Sequence, residues 1–260
     1  MGHAALEGQT RPSRRKRNML EKKQLDLSII IPAYNEEKRL LPVLSEIEKY
    51  LRNNNLQVEI LVINDGSRDN TALVAEQYSL QSDLLIQVIS LKQNCGKGAA
   101  IKAGINASNS NFVLLYDADG ATPISELERI WPHKSPAKII IGSRALDSND
   151  VILKTRVHRK GLGRLFNLAV NLLVLPGLKD TQCGFKLLPT AAAQLIFSKM
   201  FMQRFSFDVE LLFIAKKIGL EIQEIAINWS HIPGSKVNVI RDGIRMFFDL
   251  IRIRFLHRNL

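Results

Sequence analysis

"NFVLLYDADGATP", Asn111 to Pro123, runs apolar for four residues and then carries two carboxylates, Asp117 and Asp119, with a single alanine between them. A run with no polar alternation marks a strand buried on both faces rather than one with a wet side. Two carboxylates this close repel, so holding both where the strand surfaces costs free energy unless a cation sits between them. The stretch therefore predicts a covered sheet and, at its edge, a cation site.

Working outward, the same pattern recurs. "LSIIIPAY" from Leu27, "VEILVIND" from Val58, "LIQVISL" from Leu85 and "AKIIIGSR" from Ala137 all read as strands. Helical periodicity puts Leu40, Val43, Leu44, Ile47 and Leu51 on one side of a helix from Glu36 to Leu51. Further helices are predicted after Asp69, from Lys97 to about Ala107, and around Glu126. Short β-branched runs alternating with helices indicate βαβ units, hence an α/β fold with a mostly parallel sheet flanked by helices. That domain spans residues 25–236. Residues 1–24, with Arg14-Arg15-Lys16-Arg17 and no apolar periodicity, read as a flexible basic arm, and residues 237–260 as an amphipathic basic helix.

Composition narrows the function classes. With 260 residues, 46% of them hydrophobic, the chain can bury a full core. No window reaches the roughly 18 apolar residues of a membrane-spanning helix, and no apolar stretch follows the basic run as a secretory signal requires. Two cysteines, Cys95 and Cys183, are too few for a disulfide framework, so a reducing, cytoplasmic compartment is expected. The net charge of +11 asks for an anionic partner: nucleic acid, anionic lipid or a phosphorylated substrate. Aromatic residues are 7% of the chain and do not interleave with the basic runs, which argues against a nucleic-acid platform.

Ligands of such sheets bind beyond the carboxyl ends of the strands, where four polar clusters fall. They are Pro32-Ala33-Tyr34-Asn35-Glu36, Asn64-Asp65-Gly66-Ser67, Asn94-Cys95-Gly96-Lys97-Gly98 and Asp117-Ala118-Asp119-Gly120. Each alone has an ordinary explanation as a turn or helix start. Four on one predicted edge favour a nucleotide site.

Here a resemblance becomes specific. "SIIIPAYNEEKRL", "INDGSRDNT", "NCGKGAAIKAG", "DADGAT", "GSRA", "DTQCGFKL", "FSFDVELL" and "INWSHIPGSK" occur in this order from Ser28 to Lys236. The chain resembles family 2 inverting glycosyltransferases with a GT-A, Rossmann-like fold, and within them the members that move glucose from UDP-glucose to a polyprenyl (dolichyl-type) phosphate. Members with a GDP-mannose donor or a hydroxyl acceptor stay open as alternatives. The resemblance implies that Asp117 and Asp119 hold Mg²⁺ or Mn²⁺ and the diphosphate. It implies that Pro32, Ala33, Tyr34, Glu36, Asp65, Lys97 and Ala118 bind the nucleotide sugar, and that Ser235 and Lys236 close over it. Arg144 and Arg159 would face the acceptor phosphate, with Arg164, Asp180, Gln182 and Lys186 beside them.

Two further readings concern the second half. Between Arg156 and Leu173, Arg156, Arg159, Lys160, Arg164, Asn167 and Asn171 fall on one helical face and apolar residues on the other, with no acidic residue between Asp150 and Asp180. A lipid phosphate would use both faces. From Val239 onward Ile240, Ile244, Phe247, Phe248, Ile251 and Phe255 form an apolar stripe with arginines around it, which fits either a helix packed on the core or one lying on an anionic membrane. Eukaryotic members of the resembled family carry an N-terminal membrane anchor not read in this sequence, so peripheral attachment to the cytoplasmic face is expected. Finally, a phosphate monoester has its second pKa at about 6 and is already ionised at neutral pH, so it needs no general base. A hydroxyl acceptor would need Asp180 or Asp208.

Overall fold

The computed structural model describes residues 6–9, 25–146, 148, 151–154, 166–233 and 239–260. Strand β2 (Leu25–Ala33) lies at the heart of the sheet, hydrogen-bonded in parallel to β3 (Val58–Asn64) on one side and β5 (Ser110–Leu115) on the other. Beyond β3 runs the parallel strand β4 (Leu85–Leu91). On the far flank come β6 (Lys138–Ser143), the antiparallel strand β8 (Lys186–Pro189) and β9 (Glu221–Ala226). With β1 (Leu6–Gln9), the eight-stranded order is β1-β4-β3-β2-β5-β8-β6-β9. A separate two-stranded ribbon joins β7 (Leu153–Lys154) to β10 (Trp229–Ser230).

The absence of alternation in the strands has its cause here. Successive side chains of a strand point to opposite faces, and both faces are covered. Ile29 and Ile31 pack with Leu40, Val43, Leu44 and Ile47 of helix α1 (Glu37–Arg52). Ile30, Leu61 and Ile63 pack on the other side, with Ala100, Ile101 and Ile105 of α3 (Lys97–Ala107) and with α6 (Thr190–Lys199) and α7 (Phe207–Lys217). Helix α2 (Thr71–Gln81) follows β3.

Three expectations are refined. The helix expected around Glu126 is a single turn, α4 (Leu127–Ile130), between two 3₁₀ turns. Pro132 explains this, because it has no amide hydrogen to continue the helical ladder, and the chain passes into a 3₁₀ turn at Trp131–His133. Within the segment read as a flexible arm, Leu6–Gln9 forms an antiparallel edge strand on β4, with Leu6 opposite Leu91; Arg14 to Arg17 lie outside the described residues. Strand β8, read only as part of a binding motif, is too short to show periodicity and starts with a fully buried lysine.

Residues 166–173 form helix α5, and the chain closes with α8 (Val239–Leu256), whose Leu250 and Ile253, with His257 just beyond its end, are buried against the body. No helix among the described residues is long and apolar enough to cross a membrane. Because β2, β3, β4, β5 and β6 all run the same way, their carboxyl ends, from Ala33 to Ser143, share one edge of the sheet.

Candidate active site

The loop after β5 brings the two carboxylates to that edge. Lys97, the first residue of α3, reaches Asp117 with its Nζ 2.6 Å from Oδ1. Burial alone would raise the Asp117 carboxyl, but Lys97, then Lys186 and Arg144, more than offset it and hold it below the ordinary range. The reverse holds at Asp119, where burial and the neighbouring Asp117 charge raise the pKa although the Ala121 amide donates to Oδ1 at 3.0 Å. One carboxylate thus has a cation in contact, and the other carries negative charge that Lys97 and Arg39 offset only in part. Lys97, though half-buried, stays protonated under the pull of Asp117, Asp208 and Asp119.

Gly184 explains how Asp117 is held. A Cβ on Gly184 would lie 2.1 Å from Asp117 Oδ2 and 2.4 Å from its Cγ, so the carboxylate rests directly on the glycine backbone. Gly184→Ala is therefore expected to push Asp117 off Lys97. The fold should survive, because the displaced atoms are a side-chain end, while kcat falls on the order of 10²-fold, the usual cost of misplacing a reacting group by about 1 Å. Steady-state kinetics beside a thermal melt checks this, and unchanged kcat would refute it.

The wall opposite is cationic. Arg144, just after β6, forks onto Asp180 with Nε to Oδ2 at 2.7 Å and Nη2 to Oδ1 at 2.8 Å, and its own amide donates to Oδ2 at 3.0 Å. Its guanidinium lies over the Trp229 ring, 5.5 Å from the centroid. Asp180 is positioned in turn by Glu224, which accepts from the amides of Lys179 and Asp180. Between these walls lies a cleft of about 280 Å³, lined among others by Lys97, Asp117, Asp119, Arg144, Gln182 and Trp229.

Other sequence-predicted residues occupy different places. Asp65 is buried and turned toward the next loop, accepting from the amides of Cys95 (2.7 Å) and Gly96 (2.9 Å) and from Asn94 Nδ2 (2.9 Å). It clamps the turn that starts α3, where Gly96 has φ +103°, a conformation open to glycine. Pro32 and Ala33 end β2, and Tyr34 follows half-buried. Ala118 is buried between the two carboxylates. Glu36 has its amide on Thr71 Oγ1 at 2.7 Å and its carboxylate in a fork from Arg39. Lys186 is fully buried behind the cleft, donating to Asp208 and to the Cys183 carbonyl, both at 2.5 Å. Burial pushes the Cys183 thiol up to about 11, which fits a small core residue and not a nucleophile. Arg159, Arg164, Ser235 and Lys236 lie outside the described residues.

Arg39 went unnoticed in the sequence. It holds Glu36, donates through Nη1 to the Pro233 carbonyl at 3.1 Å, and acts electrostatically on Asp119. One side chain so ties together the loop after β2, the loop after β5 and the segment after β10. Its signal was present as an arginine three residues after Glu36, one helical turn on.

Among the described residues no three His, Cys, Asp or Glu side chains converge on a metal-sized point. Two carboxylates are nevertheless the donor set a hard divalent ion takes when substrate phosphates and water complete its shell. The only partly compensated charge at Asp119 fits that role. Such an edge can hold an anionic, metal-bridged leaving group on one side and a second anion against Arg144 on the other.

Comparison with known proteins points to the same chemistry. The model of glycosyl transferase family 2 matches residues 28–197. The dolichyl-phosphate beta-glucosyltransferase of Dictyostelium discoideum is 40% identical over 241 residues, covering 88% of this chain and 74% of that protein. The enzyme of that name from Homo sapiens is 40% identical over 248 residues, covering 88% and 76%. Among solved structures, glucosyl-3-phosphoglycerate synthase from Mycobacterium tuberculosis, in complex with Mn²⁺, UDP and glucosyl-3-phosphoglycerate, superposes with a TM-score of 0.64. It is 19% identical and is matched over 94% of this chain and 84% of its own, a likeness of fold.

Proposed function

The chain belongs to glycosyl transferase family 2, and from that premise we propose that it moves glucose from UDP-glucose onto a polyprenyl phosphate of the dolichyl type, with inversion at the anomeric carbon. The observation that carries this reading is the state of the carboxylates. Asp180 is bound by Arg144 and Asp208 by Lys186, so the two groups a hydroxyl acceptor would need as base are each held in an ion pair. An acceptor that arrives ionised needs neither.

In the step proposed, an acceptor phosphate oxygen forms the bond to the anomeric carbon while the bond from that carbon to the β-phosphate oxygen breaks, and UDP leaves with the electron pair. A divalent ion bound at Asp117 and Asp119 would neutralise charge on the leaving diphosphate; the Mn²⁺ complex of the fold neighbour supports such a cofactor. Lys97 adds a fixed positive charge beside Asp117. Arg144, pre-oriented by Asp180, offers the rest of its guanidinium to the acceptor phosphate, with Gln182 in the same cleft. Pro32, Ala33, Tyr34, Glu36 and Asp65 line or brace the nucleotide end, and buried Lys186 supports the acceptor side from behind through Asp208. By the family resemblance Ser235 and Lys236 are assigned to the diphosphate, and Arg159 and Arg164 to the acceptor phosphate.

A polyprenyl phosphate resides in a bilayer, so the reading includes peripheral work at a membrane surface. The free cysteines Cys95 and Cys183 support a reducing, cytoplasmic side. The test is direct: purified protein with labelled UDP-glucose, Mg²⁺ or Mn²⁺ and a polyprenyl phosphate should yield labelled lipid and release UDP. Label transferred only from GDP-mannose, or only to a hydroxyl acceptor, would overturn the donor or the acceptor assignment respectively.

A further inference from the structure

Helix α8 has two apolar faces, and only one meets the protein. Met246, Leu250, Ile253 and His257, at spacings of four, three and four, are buried. His257 Nε2 sits 2.7 Å from the buried Glu210 carboxylate, whose oxygens also accept from the Phe201 and Met202 amides. Asp249 accepts from Ser206 Oγ on the same side. These contacts fix the helix's rotation about its axis. The other face carries Ile244, Phe247, Phe248, Ile251 and Phe255, which are 58%, 45%, 65%, 40% and 68% exposed. They follow the three-and-four spacing of a continuous stripe about 16 Å long.

We infer that this stripe is a membrane-docking face that lies in the interfacial plane of an anionic bilayer. Arg245 and Arg252 border it on one edge and Arg254 and Arg258 on the other, all exposed, whereas Asp249 points into the protein. Phenylalanine in the middle with arginine on both margins matches acyl chains below and anionic headgroups above. Exposed Leu168 and Leu172, one turn apart on α5, add to the apolar surface. Arg254 ties the two helices together by donating to the Leu173 carbonyl at 2.8 Å. The helix also borders the cleft: Met246, on its inner side, lines the cavity that holds Asp117, Asp119 and Arg144. One helix thus touches the cleft on its inner side and would touch lipid on its outer side, which brings the cleft mouth to the bilayer where a lipid-borne phosphate ends.

This inference rests on the proposed acceptor for its meaning, but its test does not. Intact protein is mixed with vesicles of phosphatidylcholine alone or with phosphatidylglycerol, free of polyprenyl phosphate and nucleotide, and bound protein is measured by flotation at low and high salt. Binding to the anionic vesicles at low salt is expected. Phe247→Ser with Phe248→Ser and Phe255→Ser should lower the partition coefficient at least tenfold without changing the melting temperature, since the three rings are exposed. Arg245→Gln with Arg252→Gln should weaken binding to anionic vesicles only. Transfer to a short-chain, water-soluble prenyl phosphate, read in parallel, should be unchanged in the phenylalanine variant. If the intact protein does not float, or the phenylalanine variant floats as well, the docking face is wrong even where transfer proceeds. A dimer in solution that the same three substitutions dissolve would instead assign the face to a second copy and overturn the inference. Vesicle binding without any transfer would leave the face standing and remove the proposed activity.

Discussion

Asp119→Ala is expected to reduce glucosyl transfer by on the order of 10³-fold, as the loss of a main electrostatic element does, while leaving the protein as stable as before or more so. The second half of that expectation is the sharper one. Burial and Asp117 raise the Asp119 pKa above its ordinary 3.8. A carboxyl whose pKa is raised on folding favours the folded state when protonated, and that contribution is lost as pH rises through the folded value. At neutral pH the ionised Asp119 is therefore a destabilising charge, kept for what it binds. Removing it should flatten the decline in stability between about pH 4 and pH 7. Chelation with EDTA should stop transfer by the intact protein, and Mg²⁺ or Mn²⁺ should restore it. Full activity in chelator would sink the metal assignment, and a variant that unfolds would show that Asp119 is structural.

How much of this was legible beforehand depends on whether a residue's neighbours lie close in sequence. The strands announced themselves because both of their faces are buried, and the polar clusters because parallel strands deliver their carboxyl ends to one edge. Asp117 and Asp119 could be read as a pair because one residue separates them. The Arg144–Asp180 fork could not, since its partners stand 36 positions apart, and the sequence offered them as two acceptor residues with no link. Lys186 was an acceptor-side residue by the resemblance of its motif, although lysine is seldom buried. It is buried because Asp208, 22 residues on, receives its charge. Gly184 gave no signal at all, as its importance is the space it leaves for Asp117. At the C-terminus the pattern admitted either a packed helix or a surface helix. The structure shows that packing uses one stripe and leaves the other exposed.

Arg144→Ala is expected to do two separable things. If Arg144 holds the acceptor phosphate, the KM for polyprenyl phosphate rises far more than that for UDP-glucose. The structure adds a stability cost, because Asp180 is 7% exposed and loses its counter-ion; breaking a buried pair from one side costs roughly 3–5 kcal/mol. The pH dependence identifies the cause. In the intact protein burial raises the Asp180 carboxyl, but Arg144 more than offsets this and holds it below 3.8, so its contribution is present above that pH and is lost as acid titrates the folded state. Without the guanidinium, burial dominates and the pKa moves above 3.8. The sign of the Asp180 contribution then reverses, and the variant should lose more stability than the intact protein as pH rises from about 4 to 7. Arg144→Ala combined with Asp180→Asn removes the stranded charge and should recover much of the stability, a coupling of the size expected for residues in direct contact. It should not recover the acceptor KM. Urea unfolding at pH 4.5 and pH 7 measures the first effect and initial rates against both substrates measure the second. Recovery of KM along with stability would show that Arg144 serves only to hold Asp180, and the acceptor phosphate would then have to be met elsewhere in the cleft.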